Sequence, residues 1–293
     1  MFKSKNFFLF LIPALIWGCT WIIITFQLGT VDPLVSVSYR FIIGGAVLLL
    51  YALIRKLPLK FTWQQHLRAL QQGVLLFGVN YWLVYLSEQT LTSGLVAVAF
   101  SSIVFFNIVF GAIFFKASIN KRVVFGAVLG LIGTMLIYKA EFASFQASSE
   151  YLIAVVFALS SVVFASLGNI TSAINQKNGM PVIQTVAYGM IYGALSMGFI
   201  AFALGKPFVI DTSFAYLASL AYLSIFGSII AFTTYLTLIG RIGADKAAYT
   251  IVVVPIIAII ISAIFEDYPI DGYAIFGMAL IILANVVALL KKV

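Results

Sequence analysis

Few residues in this chain could do chemistry, and most of them sit in apolar surroundings. The costliest is Arg40, inside the apolar stretch Leu34–Ile54. A charged side chain at the centre of a membrane span costs about 2.5–3.5 kcal/mol on insertion scales, so it needs a cavity or a partner. A guanidinium fork matches a carboxylate or a phosphate. Arg40 therefore reads in three ways: a clamp for an anionic solute, one half of a structural pair with Glu88, or a side chain that snorkels to the surface. Glu88 is the one acidic residue near a span interior. It reads as a coupling carboxylate in a transport path, as an interfacial carboxylate, or as the partner of Arg40.

Neutral polar and aromatic residues accompany these two. Trp17 and Trp21 are four apart and share a helix face. Asn80, Tyr81 and Tyr85 lie in the third apolar stretch, Ser101, Ser102 and Asn107 in the fourth, and Asn169 in the sixth. Tyr188 and Tyr192 share a face of the seventh, Thr233, Thr234 and Tyr235 lie in the eighth, and Tyr249 and Thr250 begin the ninth. Taken singly, each is a packing or interfacial residue. Taken as a set, they outline a cavity with aromatic walls and neutral hydrogen-bonding groups. The substrate-binding candidates are Arg40, Trp17, Trp21, Asn80, Tyr81, Tyr85, Ser101, Ser102, Asn169, Tyr188, Thr234 and Tyr249. Glu88 is the coupling candidate. Pro255 lies mid-span, removes a backbone hydrogen bond and is the hinge candidate. Such a cavity suits an amino acid or a related amphipathic compound. A phosphate-bearing solute would want several cations, and Arg40 is the only one within a span.

Other chemistries are poorly supplied. One cysteine, Cys19, excludes a disulfide within the chain, and one histidine, His66, in a polar loop, excludes metal sites built from several His or Cys. Serine- or cysteine-based hydrolysis would depend on His66, which has no acidic neighbour. Paired catalytic acids within the spans are absent, as is a phosphate-binding P-loop. No charged rings or filter-like loops suggest a channel. The sequence thus points away from an enzyme and calls for no metal or cofactor. The net charge of +8 does not imply nucleic acid, because the basic residues are spread over many short loops.

The elements that position these residues follow from composition. Of 293 residues, 63% are hydrophobic and 9% are charged, against roughly 25% charged in a soluble domain. Only a bilayer accommodates so much apolar surface. A spanning helix needs about 20 apolar residues. Ten stretches qualify: Phe7–Phe26, Leu34–Ile54, Ala69–Leu86, Leu95–Phe115, Val123–Tyr138, Tyr151–Ile174, Val182–Leu204, Tyr216–Ile239, Ala247–Phe265 and Gly272–Leu290. The first is not read as a signal peptide, because no small-residue cleavage site follows it.

Charge sets the orientation. With ten spans, fourteen of the seventeen Lys and Arg fall on one side, and only Lys139 and Lys206 fall on the other. The positive-inside rule then puts both termini in the cytoplasm. The acidic residues segregate oppositely: Asp32, Glu88, Glu141, Glu150, Asp211, Glu266, Asp267 and Asp271 outside, Asp245 inside.

The chain also repeats itself. Pro33 and Pro181 open spans 148 residues apart, Gly78 and Gly227 are 149 apart, and Gly126 and Gly277 are 151 apart. The polar stretch Lys139–Glu150 divides the two halves. Residues 1–140 and 150–293 each carry five spans, and two odd halves in tandem must lie in opposite orientation. The predicted fold is an all-α integral membrane protein of ten helices, built as two inverted five-helix repeats around a central cavity.

These features resemble the EamA family of the drug/metabolite transporter superfamily. The residues that carry the resemblance are Trp17-Gly18 with Trp21, Pro33 followed by Arg40, Leu91-Thr92-Ser93-Gly94, Ile239-Gly240-Arg241-Ile242-Gly243-Ala244 and Pro255. The resemblance covers nearly the whole chain. It implies a transporter of small metabolites such as amino acids or drugs, usually acting outward, in the cytoplasmic membrane. The partners it implies are a solute, lipid and a second copy of the chain, with spans 5 and 10 as scaffolds or dimer contacts. The Gly126/Gly130 pair reads as packing within or between protomers. Two positions depart from the family pattern. Ser101-Ser102-Ile103 stands where the family often has a proline in span 4, and Lys116 stands where it often has Gly-Glu. Small multidrug exporters use a glutamate in their first span, and that span has no acid here.

Overall fold

The computed structural model describes residues 4–116, 118–139, 148–265 and 270–289. Lys3, Glu141, Glu266, Asp267, Lys291 and Lys292, which entered the charge count, lie outside the described residues. The described residues fold as helices, with no strand among them. Helix α1 is Ser4–Thr25 and α2 is Pro33–Ile54. Pro33 suits the first helical position, and the Asp32 side chain accepts from the Leu34 backbone N–H at 2.9 Å. Helix α3, Trp63–Gly73, opens on a capping box in which Thr62 and Gln65 satisfy each other's backbone N–H. That cap starts the helix earlier than hydropathy suggests. It moves His66 out of the expected loop and into the first turn of α3, where Nδ1 meets the Tyr192 hydroxyl at 2.7 Å.

From α3 the chain stays helical through a π-helical turn, Val74–Val79, into α4, Asn80–Glu88. The same design recurs later: α10, Phe214–Ser224, a π-helical turn at Ile225–Ile230, and α11, Ala231–Ile242. The two wide turns start 151 residues apart, and each contains one of the matched glycines, Gly78 or Gly227.

The remaining elements are α5 (Ser93–Ser101), α6 (Ile103–Phe115), α7 (Lys121–Ile137), α8 (Ser149–Lys177), α9 (Val182–Ala203), α12 (Ala244–Ala247), α13 (Tyr249–Phe265) and α14 (Gly272–Leu289). The fourth expected span is thus broken at Ser102 instead of running through. The break falls where the resemblance leads one to look for a proline. The ninth is preceded by the short α12, and Pro255 lies inside α13.

Among the described residues, seven helical segments are long and apolar enough to cross a membrane. Of the other three expected spans, two are short, Lys121–Ile137 and the apolar Gly272–Ala288. The third begins with the polar α3, rich in Gln, His and Arg. Leu53, Ile54, Phe199, Phe202, Ile275 and Phe276 stand exposed on the outside of the bundle, as lipid-facing side chains do.

Packing joins the first half of the sequence to the second. The most extensive helix contacts are α7 with α14 and α2 with α9. Small residues allow the close approach: a Cβ on Gly133 would lie 2.7 Å from the Gly277 carbonyl, and one on Gly126 would lie 2.9 Å from the Ala284 carbonyl. The glycine face of α7 is therefore occupied by α14 of the same chain.

Gly243 separates α11 from α12 with φ +90° and ψ 157°, a conformation essentially reserved for glycine. A Cβ there would also meet Asp245 Oδ1 at 2.7 Å. Gly243→Ala is expected to destabilise the fold by about 1–3 kcal/mol. Thermal unfolding of the purified variant in detergent checks this, and an unchanged midpoint would contradict it.

Candidate functional site

A small cavity lies between the halves, lined by residues of α1, α4, α5, α6, α8, α11 and α13 and by Leu76 of the first wide turn. Five of the candidates from the sequence meet on its wall: Trp17, Trp21, Asn80, Tyr81 and Asn169. Thr20, Phe100, Phe232 and Tyr235 complete the polar and aromatic lining. The rings pack edge to face. Trp17 lies 5.0 Å from Tyr235 and 5.1 Å from Phe232, and Trp21 lies 5.0 Å from Phe100. Trp17 Nε1 donates to the Gly227 carbonyl at 3.2 Å, which fixes its ring. Trp21 Nε1, Asn80 Oδ1 and Asn169 Oδ1 are buried without a hydrogen-bond partner. Leaving such groups unmet is costly, and a polar solute could satisfy them. The cavity measures about 50 Å³, room for a few waters. Drug-sized pockets run to about 300 Å³ and more. A metabolite can enter only if the walls move apart.

Arg40 lies behind one of these walls. It is fully buried, so it does not snorkel, and no ion pair joins it to Glu88. Of the three roles open to Arg40, these observations correct two. Its Nε donates to Ser228 Oγ at 3.0 Å, and its guanidinium lies 4.3 Å from the Tyr81 ring centroid and 5.1 Å from that of Phe41. Ser228 sits in the second wide turn and donates to the carbonyl of Leu223, five residues back. The wide turn thus aims the serine oxygen at the arginine. The ion pair the sequence suggested is not formed; the guanidinium lies against the Tyr81 ring. The one ion pair among the described residues joins Lys206 to Asp32 near the surface, at 3.0 Å.

A second, wider cavity of about 500 Å³ opens where α6, α8, α11 and α12 end. Gln176, Lys177 and Asp245 line it, with Gly240 and Gly243. Sequence reading missed these residues, because Lys177 and Asp245 look like ordinary loop charges. A polar barrier separates the two cavities. Asn107 Nδ2 donates to the Ala244 carbonyl at 3.0 Å, Ser166 Oγ donates to Asn107 Oδ1 at 2.6 Å, and Asn169 Nδ2 donates to the Tyr235 hydroxyl at 3.4 Å. Asn107 therefore joins α6 of the first half to α8 and α12 of the second.

Several candidates are placed elsewhere. The Tyr188 hydroxyl donates to the Leu59 carbonyl at 2.8 Å, and its ring packs against Phe61 and His66 under the α2–α3 loop. Tyr249 donates to the Val123 carbonyl at 2.6 Å, which ties α13 to α7. Ser101, Ser102 and Thr234 donate to carbonyls of their own helices, as hydroxyls in apolar surroundings commonly do. Tyr85 and Glu88 are buried near Arg40, off the wall of the small cavity.

An all-helical bundle with lipid-facing sides, membrane-spanning helices and an internal cavity between its halves defines a multi-pass membrane protein. The EamA-like transporter family matches this chain twice, over residues 4–139 and 152–290, and the chain belongs to that family. It is similar to a Bacillus subtilis transporter, YvbV, at 29% identity over 96% of this chain and 90% of the relative. It is also similar to an Escherichia coli inner membrane transporter, YedA, at 26% identity over 95% of this chain and 88% of the relative. A Salmonella typhimurium relative named "Probable amino-acid metabolite efflux pump" is 22% identical over 95% of this chain and 93% of its own. One solved crystal structure, 19% identical, shares the fold with a TM-score of 0.79, covering 98% of this chain and 97% of the other.

Asn107→Ala removes both ends of the barrier's central link and leaves the Ser166 hydroxyl buried and unmet, while the Ala244 carbonyl keeps the Ala248 backbone N–H. The expected loss is about 1–3 kcal/mol of stability. A thermal midpoint equal to the parent's would show that water replaces the side chain at no cost.

Proposed function

We propose that this protein is a secondary transporter. It moves a small metabolite, an amino acid or a related amphipathic compound, outward across the cytoplasmic membrane by alternating access. The observation that carries this reading is the end-to-end arrangement of a wide vestibule, a polar barrier built from both halves and a tight aromatic cavity. A transporter must never open both ends at once, and a barrier shared by the halves can break on one side while another forms on the opposite side. In this reading the chain has ten spans, arranged as two inverted repeats over residues 1–140 and 150–293. The paired wide turns and the double family match support that arrangement. Both termini are cytoplasmic, and so is the vestibule. The helix break at Ser102, Gly243 and Pro255 are the places where the halves can bend.

Outward transport rests on the family resemblance and on the name of the Salmonella typhimurium relative. Uptake through the same fold is the second reading, since none of these side chains is directional. A membrane scaffold that transports nothing is the third.

Two experiments test the proposal. Reconstituted in proteoliposomes, the protein should exchange radiolabelled amino acids across the bilayer above the rate of empty vesicles. If amino acids, nucleotides and drugs all fail to move with the fold intact, the transporter reading is lost. The second experiment starts from a Cys19→Ser background. There, Ala173→Cys in the vestibule should react with an impermeant maleimide added from the cytoplasmic side, whereas Thr20→Cys in the tight cavity should be protected. Labelling of Ala173→Cys from the outside only would reverse the orientation.

A further inference from the structure

Arg40 and Glu88 present an unusual combination. Both are buried, at 0% and 7% exposure, and one is a base and the other an acid. They lie within electrostatic reach of each other, yet neither uses the other as a partner. Arg40 Nη1 and Nη2 have no hydrogen bond, and neither does either carboxylate oxygen of Glu88. The Tyr85 hydroxyl, fully buried, lies close to Arg40 without a well-aligned hydrogen bond. Tyr81, Tyr85 and Glu88 are spaced four and three residues apart on α4, so they form one stripe, and Arg40 faces it from α2. An unmet charge in a low-dielectric interior is among the most expensive features a fold can keep.

Gly227 of the second wide turn lies between the cavity wall and the guanidinium. A Cβ there would lie 3.3 Å from Arg40 Nη2 and 3.6 Å from Thr20 Oγ1, a group on the wall of the tight cavity. Glycine leaves a methyl-sized gap at that point. The ring of Tyr81 covers the guanidinium on the other side and itself lines the cavity.

We propose that Arg40, Tyr85 and Glu88 form a charge-paired subsite for the head of a zwitterionic solute. This rests on the transporter reading above. The solute's carboxylate takes the free Nη1 and Nη2 of Arg40 with help from the Tyr85 hydroxyl, and its ammonium takes the Glu88 carboxylate. Its apolar remainder occupies the aromatic cavity once Tyr81 moves aside. The charge balance decides the class. A plain anion satisfies Arg40 but leaves Glu88 unmet and repelled, and a plain cation does the reverse. A solute that carries both groups meets both residues and leaves neither without a partner. This goes beyond an arginine clamp, because it makes the acid a reader of the ligand instead of a bystander.

The test compares L-leucine with its two one-charge relatives, 4-methylpentanoate and 3-methylbutylamine, as ligands of the purified full chain in lipid nanodiscs. The parent should bind leucine about tenfold or more tightly than either relative, as expected when one member of a buried charge pair is lost. Glu88→Gln keeps the side-chain shape and should bring 4-methylpentanoate level with leucine. Arg40→Met should bring 3-methylbutylamine level with leucine. Gly227→Ala leaves every charge in place and, by crowding Arg40, should weaken leucine and 4-methylpentanoate together while sparing 3-methylbutylamine. Should Arg40→Met not fold, Glu88→Gln and Gly227→Ala carry the test. If leucine and both relatives bind the parent equally, or if Glu88→Gln leaves the ratios unchanged, the subsite is overturned while transport stands. If none of the three binds and no flux of any amino acid is found, the subsite and the amino-acid reading fall together.

Discussion

A full positive charge at Arg40, with no exposure to solvent and two unmet nitrogens, is the constraint around which this fold is arranged. Hydrocarbon cannot solvate a guanidinium, so protein must surround it. Ser228 supplies an acceptor, Tyr81 and Phe41 supply aromatic faces, and the tight packing of α2 on α9 seals the site from lipid. Ser228 can do this only because the helix widens locally into a π-helical turn. An ordinary α-helical pitch would turn its hydroxyl elsewhere. The wide turn in α10–α11 is thus tied to the arginine of α2. The first half of the chain and the second hold one another through that contact.

The same requirement, that polar groups in an apolar bundle must find partners, organises the rest of the interior. Where a hydroxyl has no task it folds back onto its own turn of backbone, as those of Thr234 and Ser102 do. Where it joins helices, as in the Asn107–Ser166 contact, it becomes a barrier between two cavities. Some groups left unmet lie at the small cavity, in Trp21, Asn80 and Asn169, and beside Arg40, in Glu88, while others, such as Gln72, Asn175 and Thr250, lie off the cavity wall. Packing by glycine has the same double nature: the α7 glycines serve the contact with α14, whereas Gly227 keeps a space open beside the arginine.

Much of the fold was legible in the sequence because hydrophobic runs and loop charges respond to the membrane locally, residue by residue. The apolar runs of α1, α2, α8 and α9 were found to within a few residues. The family model matches residues 4–139 and 152–290. The start of α3 was placed too late, because a polar helix carries no hydropathy signal and only its Thr62–Gln65 cap marks it. The breaks at Ser102 and before Tyr249 were missed for a related reason: an apolar run looks the same whether or not its backbone bends.

The candidate site divides along the same line. Sequence alone determined which residues were expensive to bury, above all Arg40, and that Trp17, Trp21, Asn80, Tyr81 and Asn169 were worth keeping together. Spacing along one helix does not say which neighbour that helix faces. Only the tertiary structure decided that Tyr188 and Tyr249 bond to backbone carbonyls away from the cavity, and that Tyr81, not Glu88, meets the guanidinium. Side-chain partners across helices depend on crossing geometry and on the extra residue in a π-helical turn, and neither is written in composition or periodicity.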